Sequence, residues 1–247
     1  MSMKIPGKIA DELGDSALFE HLRAKTIETD RRRFRALGPA HTDSFIRHGL
    51  SFGQRCRFRY TYEALYAMFL MSYLGSYFHE DFRYRAISAC LDPEVPDPLT
   101  RTDRARENFI LFGEKFIGNR LEIFGTDLRR FTDHILPEIK HLSTDDFLTL
   151  LPKSHGERAF FWSHDQRRVL QANLILAQRA LDPSQRIHPN ILIALGYWLG
   201  AGFYKDPLFP WVRDKIKDGS SEFESFALRR LNAQLRDFEV KDVQIPR

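Results

Sequence analysis

The chain has 247 residues, 43% hydrophobic and 28% charged, a globular balance that excludes a disordered or membrane-embedded composition. Its net charge of +4 favours acidic partners, and arginine dominates the basic side, 27 residues against 10 lysines. Two cysteines, Cys56 and Cys90, suit neither a disulfide framework nor a metal site and read as reduced thiols.

Met1–Ala10 carries Lys4 and Lys8 with no apolar core behind them, so no signal peptide is expected and a cytoplasmic location is. The first helix is expected over Ser16–Phe34, ended by Gly38-Pro39, and a second from Asp43 to about Gly53. Arg55, Arg57 and Arg59 then alternate with Cys56, Phe58 and Tyr60, the one stretch with strand-like alternation. A third helix, about Thr61–Leu74, is apolar almost all round, as buried helices are, and too short to span a bilayer. Three prolines between Asp92 and Pro98 break the chain. Further helices are expected over Arg101–Phe124, Leu128–His141 with a kink at Pro137, Asp145–Leu151, Asp165–Leu181, Pro189–Leu199 and Ser221–Phe238. The expected class is all-α: one helical domain over 1–247 made of two packed halves, about 1–98 and 99–247.

An internal repeat at an offset of 125 residues organises this bundle. Leu74-Gly75-Ser76-Tyr77-Phe78-His79-Glu80-Asp81 recurs as Leu199-Gly200-Ala201-Gly202-Phe203-Tyr204-Lys205-Asp206, and the ungapped match continues through Tyr84/Phe209, Ile87/Val212 and Leu91/Ile216. It predicts a helix–turn–helix unit used twice, over about 61–91 and 186–216. Gly75 and Gly200 suit the left-handed position that closes a helix, and Phe78 and Phe203 can tuck over its end. Asp81 and Asp206 read as N-caps of the following helices, with Pro207 in the first turn and Trp211 packing beyond. In the alternative reading the two aspartates face each other as an acidic catalytic pair, although His79-Glu80 becomes Tyr204-Lys205 in the second copy.

Nucleotide-binding, hydrolase, metalloprotease and kinase signatures are missing from the sequence, and no metal or cofactor is expected. His134 and His141, seven apart, have no carboxylate at a regular spacing to complete a site. The basic clusters Arg31, Arg32, Arg33 and Arg55, Arg57, Arg59 are the candidate partner-binding residues. Arginines interleaved with aromatics also allow a single-stranded nucleic-acid binder, though no recognised module accompanies them.

Leu199-Gly200-Ala201-Gly202-Phe203-Tyr204-Lys205-Asp206-Pro207-Leu208-Phe209-Pro210-Trp211 resembles a segment of helical proteins encoded near bacterial type VI secretion effectors. The overall plan resembles helical immunity proteins that neutralise polymorphic toxins. Leu74–Ala86 matches less fully, with Phe82, Arg85 and Ala86 where the second copy has prolines and tryptophan. The resemblance implies a non-enzymatic cytoplasmic protein that binds a toxin encoded nearby, or a secretion chaperone or adaptor. It transfers no catalytic residue.

Overall fold

A computed structural model describes residues 12–118, 122–155, 164–180, 187–217 and 223–239. The protein is all-α. Among the described residues the helices are α1 (Glu12–Thr29), α2 (Arg31–Leu37), α3 (Pro39–Arg55), α4 (Thr61–Leu74), α5 (Arg85–Cys90) and α6 (Pro98–Phe116). They continue with α7 (Glu122–Arg130), α8 (Thr144–Leu150), α9 (His164–Ala180), α10 (Pro189–Leu199), α11 (Pro210–Lys217) and α12 (Phe223–Glu239). No helix among the described residues is long and apolar enough to cross a membrane.

The chain divides into two compact units at Phe109/Ile110, inside α6, rather than at about 98/99. Leu199–Trp211 belongs to the first unit, although the rest of the C-terminal half forms the second.

In the first unit α4 packs against α1 and α3 and buries Ala67, Met68, Leu70 and Met71. Its apolar residues run all round the helix because neighbours cover nearly every face. Gly49 in α3 allows this close approach: a Cβ there would lie 2.7 Å from the Met68 side chain. The expected single helix over Ser16–Phe34 is two helices. Asp30 interrupts it, accepting a hydrogen bond from the Arg33 amide (3.0 Å) and so capping α2.

In the second unit α10 buries every residue from Asn190 to Tyr197. Asn190 Nδ2 donates to the carbonyls of Ile139 (2.8 Å) and Leu142 (2.9 Å), satisfying the end of the preceding segment. The expected helix over Leu128–His141 changes form instead of kinking. After α7 comes a π turn, Phe131–Ile135, then a 3₁₀ turn, Leu136–Glu138, that takes in Pro137. Proline has no amide hydrogen to continue the α-helical ladder, and a local change of winding absorbs the loss.

Candidate functional site

The two repeated turns meet within the first unit and lock each other. Asp206 Oδ2 accepts from the Ser76 amide (2.8 Å), and its Oδ1 accepts from Ser76 Oγ (2.5 Å). Reciprocally, Asp81 Oδ2 accepts from the amide of Ala201 (3.1 Å), the residue 125 positions after Ser76. Each carboxylate also closes its own turn, Asp81 through the Arg83 amide (3.0 Å) and Asp206 through that of Leu208 (2.8 Å).

Gly75 (φ 95°) and Gly200 (φ 100°) lie back to back, a Cβ on either meeting the carbonyl oxygen of Leu199 or Leu74 at 3.1 or 3.2 Å. With ψ at 149°, Gly75 is not in the left-handed helical region but in an extended positive-φ region that essentially only glycine occupies. Phe78 and Phe203 are buried beneath the turns, Pro207 is buried, and Trp211 is half-buried in the first turn of α11.

The two turns differ in sequence where they meet. Glu80 faces its counterpart Lys205 (Oε2–Nζ 3.3 Å), where two identical charges would repel. The Tyr77 ring fills the space where a Cβ on its counterpart Gly202 would stand, 2.7 Å away. This correspondence concerns the turns, since α4 lies in the first unit and α10, up to Trp198, in the second.

Two expectations are corrected here. Asp81 does cap a helical turn, accepting from the Arg83 amide at the start of a 3₁₀ turn, Phe82–Tyr84, that runs into α5 at Arg85, whereas Asp206 does not, because α11 starts four residues later, at Pro210, not at Pro207. Nor do they form an open acidic pair. Asp81 is further gripped by Arg83 (Nη2–Oδ2 2.6 Å; Nε–Oδ1 2.9 Å), and both carboxylates are buried and committed to amides. They serve the turns.

The arginine set also divides. Arg31 and Arg32 are exposed on α2, but the Arg33 guanidinium turns inward and donates to the Ser72 carbonyl. Burial lowers its proton affinity, opposed by the nearby Asp206 carboxylate. Arg33 is therefore half-buried and committed to a carbonyl, which sets it apart from its exposed neighbours in the run Arg31-Arg32-Arg33.

Arg55, Arg57 and Arg59 are all exposed, while Cys56 and Phe58 between them are buried. No carboxylate among the described residues forms an ion pair with any of the three. Arg55 instead touches neutral groups, lying 5.6 Å from the Phe52 ring centroid and 3.4 Å from His79 Nε2. The alternation is not a strand. It is a helix terminus in which the Phe58 amide bonds to the Gly53 carbonyl (2.9 Å) and the Arg57 amide to that of Gln54 (3.1 Å). This pattern places Arg57 at φ 53°, the position usually held by glycine. A side chain there costs on the order of 1 kcal/mol.

A buried ion pair braces this loop from below. Glu63 and Arg101, with side chains 0% and 3% exposed, meet at 2.8 Å. Glu63 Oε2 accepts from the amides of Arg59 (2.7 Å) and Tyr60 (3.1 Å), capping α4. Arg101 Nη1 donates to the Cys56 carbonyl (2.8 Å), and its guanidinium lies over the Phe58 ring at 5.5 Å. The Cys56 carbonyl and the Arg59 and Tyr60 amides are thus held from below, and the three arginines face solvent. Burial pushes the Cys56 thiol up to about 11, away from thiolate chemistry.

Beside the loop, the His48 ring packs at a tilt against Tyr77 (4.4 Å between centroids) and donates through Nε2 to the Ser76 carbonyl (3.0 Å). Burial lowers the proton affinity of both His48 and His79, His79 to about 4, aided by Arg55, His48 and Lys205; Glu80 Oε1 lies 3.8 Å from His79 Nε2. On acidification the unfolded chain takes up these protons first. The fold should therefore lose stability as pH falls from about 6.5 towards 4, by about 3 kcal/mol for His79 alone. His79→Phe should flatten that part of a melting-temperature profile; an unchanged profile would assign the acid sensitivity elsewhere.

The second unit holds a polar chain that sequence reading missed. His155 Nδ1 meets Asp127 Oδ2 at 2.5 Å, and its Nε2 meets the Tyr197 hydroxyl. Asp127 and Tyr197 are 1% exposed and His155 is half-buried, so the chain ties α7 and α10 to the segment between them, as satisfied buried networks do. Its members lie 28 and 42 residues from His155, with no motif to connect them. Among the described residues no group of three His, Cys, Asp or Glu side chains is placed to hold a metal ion. Comparison with protein-family models, curated proteins and solved structures finds no match for this chain.

Proposed function

We propose that the chain is a non-enzymatic protein-binding protein, an immunity protein that neutralises a toxin encoded beside it in a bacterium with a type VI secretion system. The observation that carries this reading is the braced loop with Arg55, Arg57 and Arg59 outward and, among the described residues, no carboxylate paired to any of them. Interfaces draw their energy from a few rigidly presented side chains, arginine prominent among them, and a pre-ordered loop loses little entropy on docking. The resemblance of Leu199–Trp211 to proteins encoded near secretion effectors supports the toxin as partner, and the cytoplasm as the place of action. The toxin then presents an acidic surface. Arg31 and Arg32, exposed on α2, are the further candidates for steering it.

The test is co-expression with the product of the adjacent gene. The unsubstituted protein should relieve its toxicity, and Arg55→Glu/Arg57→Glu/Arg59→Glu should slow association by about tenfold or more through lost steering. Failure of the unsubstituted protein to bind or to rescue against any neighbouring product rejects this reading. A secretion chaperone would use the same loop, but would support export of the partner while leaving its toxicity intact.

A further inference from the structure

Within this loop the geometry points to Arg57 as the anchor: its guanidinium seats a carboxylate on the surface of the protein partner. The inference rests on the protein-binding reading above and names the residue and chemistry through which it works. Three observations converge on it. The helix end that holds Arg57 at φ 53° is complete in its backbone hydrogen bonds and has a use for glycine there, none for a long side chain. The residue's side chain is exposed and no carboxylate among the described residues pairs with it. The Glu63–Arg101 pair beneath fixes the backbone on either side, through the Cys56 carbonyl and the Arg59 amide. A fork-shaped donor at the tip of a rigid turn is suited to bidentate carboxylate recognition.

The surroundings favour a protein over a nucleic acid. Phe58, the aromatic next to Arg57, is 7% exposed and packs 6.0 Å from the Phe52 ring, so no base can stack on it. The exposed Asp92 and Asp97 add negative charge to this region, Asp92 acting on Cys56 and Asp97 on Tyr62. A phosphate backbone tracking the arginines would run against these charges. A protein surface can set a carboxylate on Arg57 and a cation opposite Asp92 and Asp97.

Two variants separate strain from recognition. Arg57→Gly should raise the melting temperature and weaken binding to the adjacent gene's product by at least about tenfold, the effect of a hot-spot side chain. Arg57→Ala should weaken binding equally with no rise in melting temperature, and Arg57→Lys should fall between, keeping the charge without the fork. Binding by Arg57→Ala within about twofold of the unsubstituted protein, well below a hot-spot effect, overturns this inference and leaves the protein-binding reading standing. Absence of any complex with the unsubstituted protein overturns the reading itself. Tighter, salt-sensitive binding to a single-stranded oligonucleotide than to the gene product assigns the arginines to nucleic acid and overturns both.

Discussion

Glu63→Ala should lower the stability of the protein by about 3–5 kcal/mol, the range for stranding one member of a buried ion pair. The side chain is wholly buried, and its loss leaves the Arg101 guanidinium facing the interior without a counter-charge. It also frees the amides of Arg59 and Tyr60 at the start of α4. Against a total stability of about 5–15 kcal/mol for a typical folded protein, that is enough to populate unfolded chains. Arg101→Met should fall in the same range, because the Glu63 carboxylate is then the stranded charge. The double variant Glu63→Leu/Arg101→Met should lose clearly less than the two single losses combined, the signature of direct coupling. Urea titration followed by circular dichroism measures all three. Single variants that each shift the midpoint by less than about 1 kcal/mol would mean that the loop is not braced as described.

Asp206→Ala should cost about 3 kcal/mol or more, beyond the roughly 0.5–2 kcal/mol of an ordinary helix cap. Capping alone was the sequence expectation. The larger figure follows from three donors, the Ser76 amide, Ser76 Oγ and the Leu208 amide, left unsatisfied in the interior. Asp206→Asn should not rescue the loss, because a backbone amide donates to each carboxylate oxygen, Ser76 to Oδ2 and Leu208 to Oδ1, and an amide nitrogen in either place would face a donor. Burial raises the proton affinity of Asp206, opposed by its hydrogen bonds and by Arg33. The folded chain therefore keeps this proton at a pH where the unfolded chain has lost it. The contribution of that titration is full in acid and fades as pH rises through the folded value, opposite in direction to that of His79. Equal stability of Asp206→Ala and the unsubstituted protein at neutral pH would show that the two turns do not depend on this lock.

Most helices and both glycine turns are legible in the local pattern of residues. The spans Thr61–Leu74 and Pro189–Leu199 coincide with α4 and α10, because dense apolar runs bounded by glycine or proline leave few other outcomes. The offset of 125 residues marks Gly75, Gly200, Asp81 and Asp206 as corners. Helix boundaries moved where a local competitor acted, as at Asp30, whose side chain offers the Arg33 amide an alternative to the helical ladder.

Where the charges go depends on which elements pack together. Asp81 and Asp206 look like caps of their own helices, yet each reaches an amide 120 or 130 residues away. Arg33 is one of three identical neighbours, and the one that packs inward. Arg101 sits on a largely polar helix but pairs with Glu63, while Arg57 occupies a glycine position that no local signal marks. Hydrophobic periodicity is written along the chain at spacings of three and four residues, so it can be read there. The partner of a buried charge is set by which elements pack together, and its identity is carried by residues too distant for any local pattern to record.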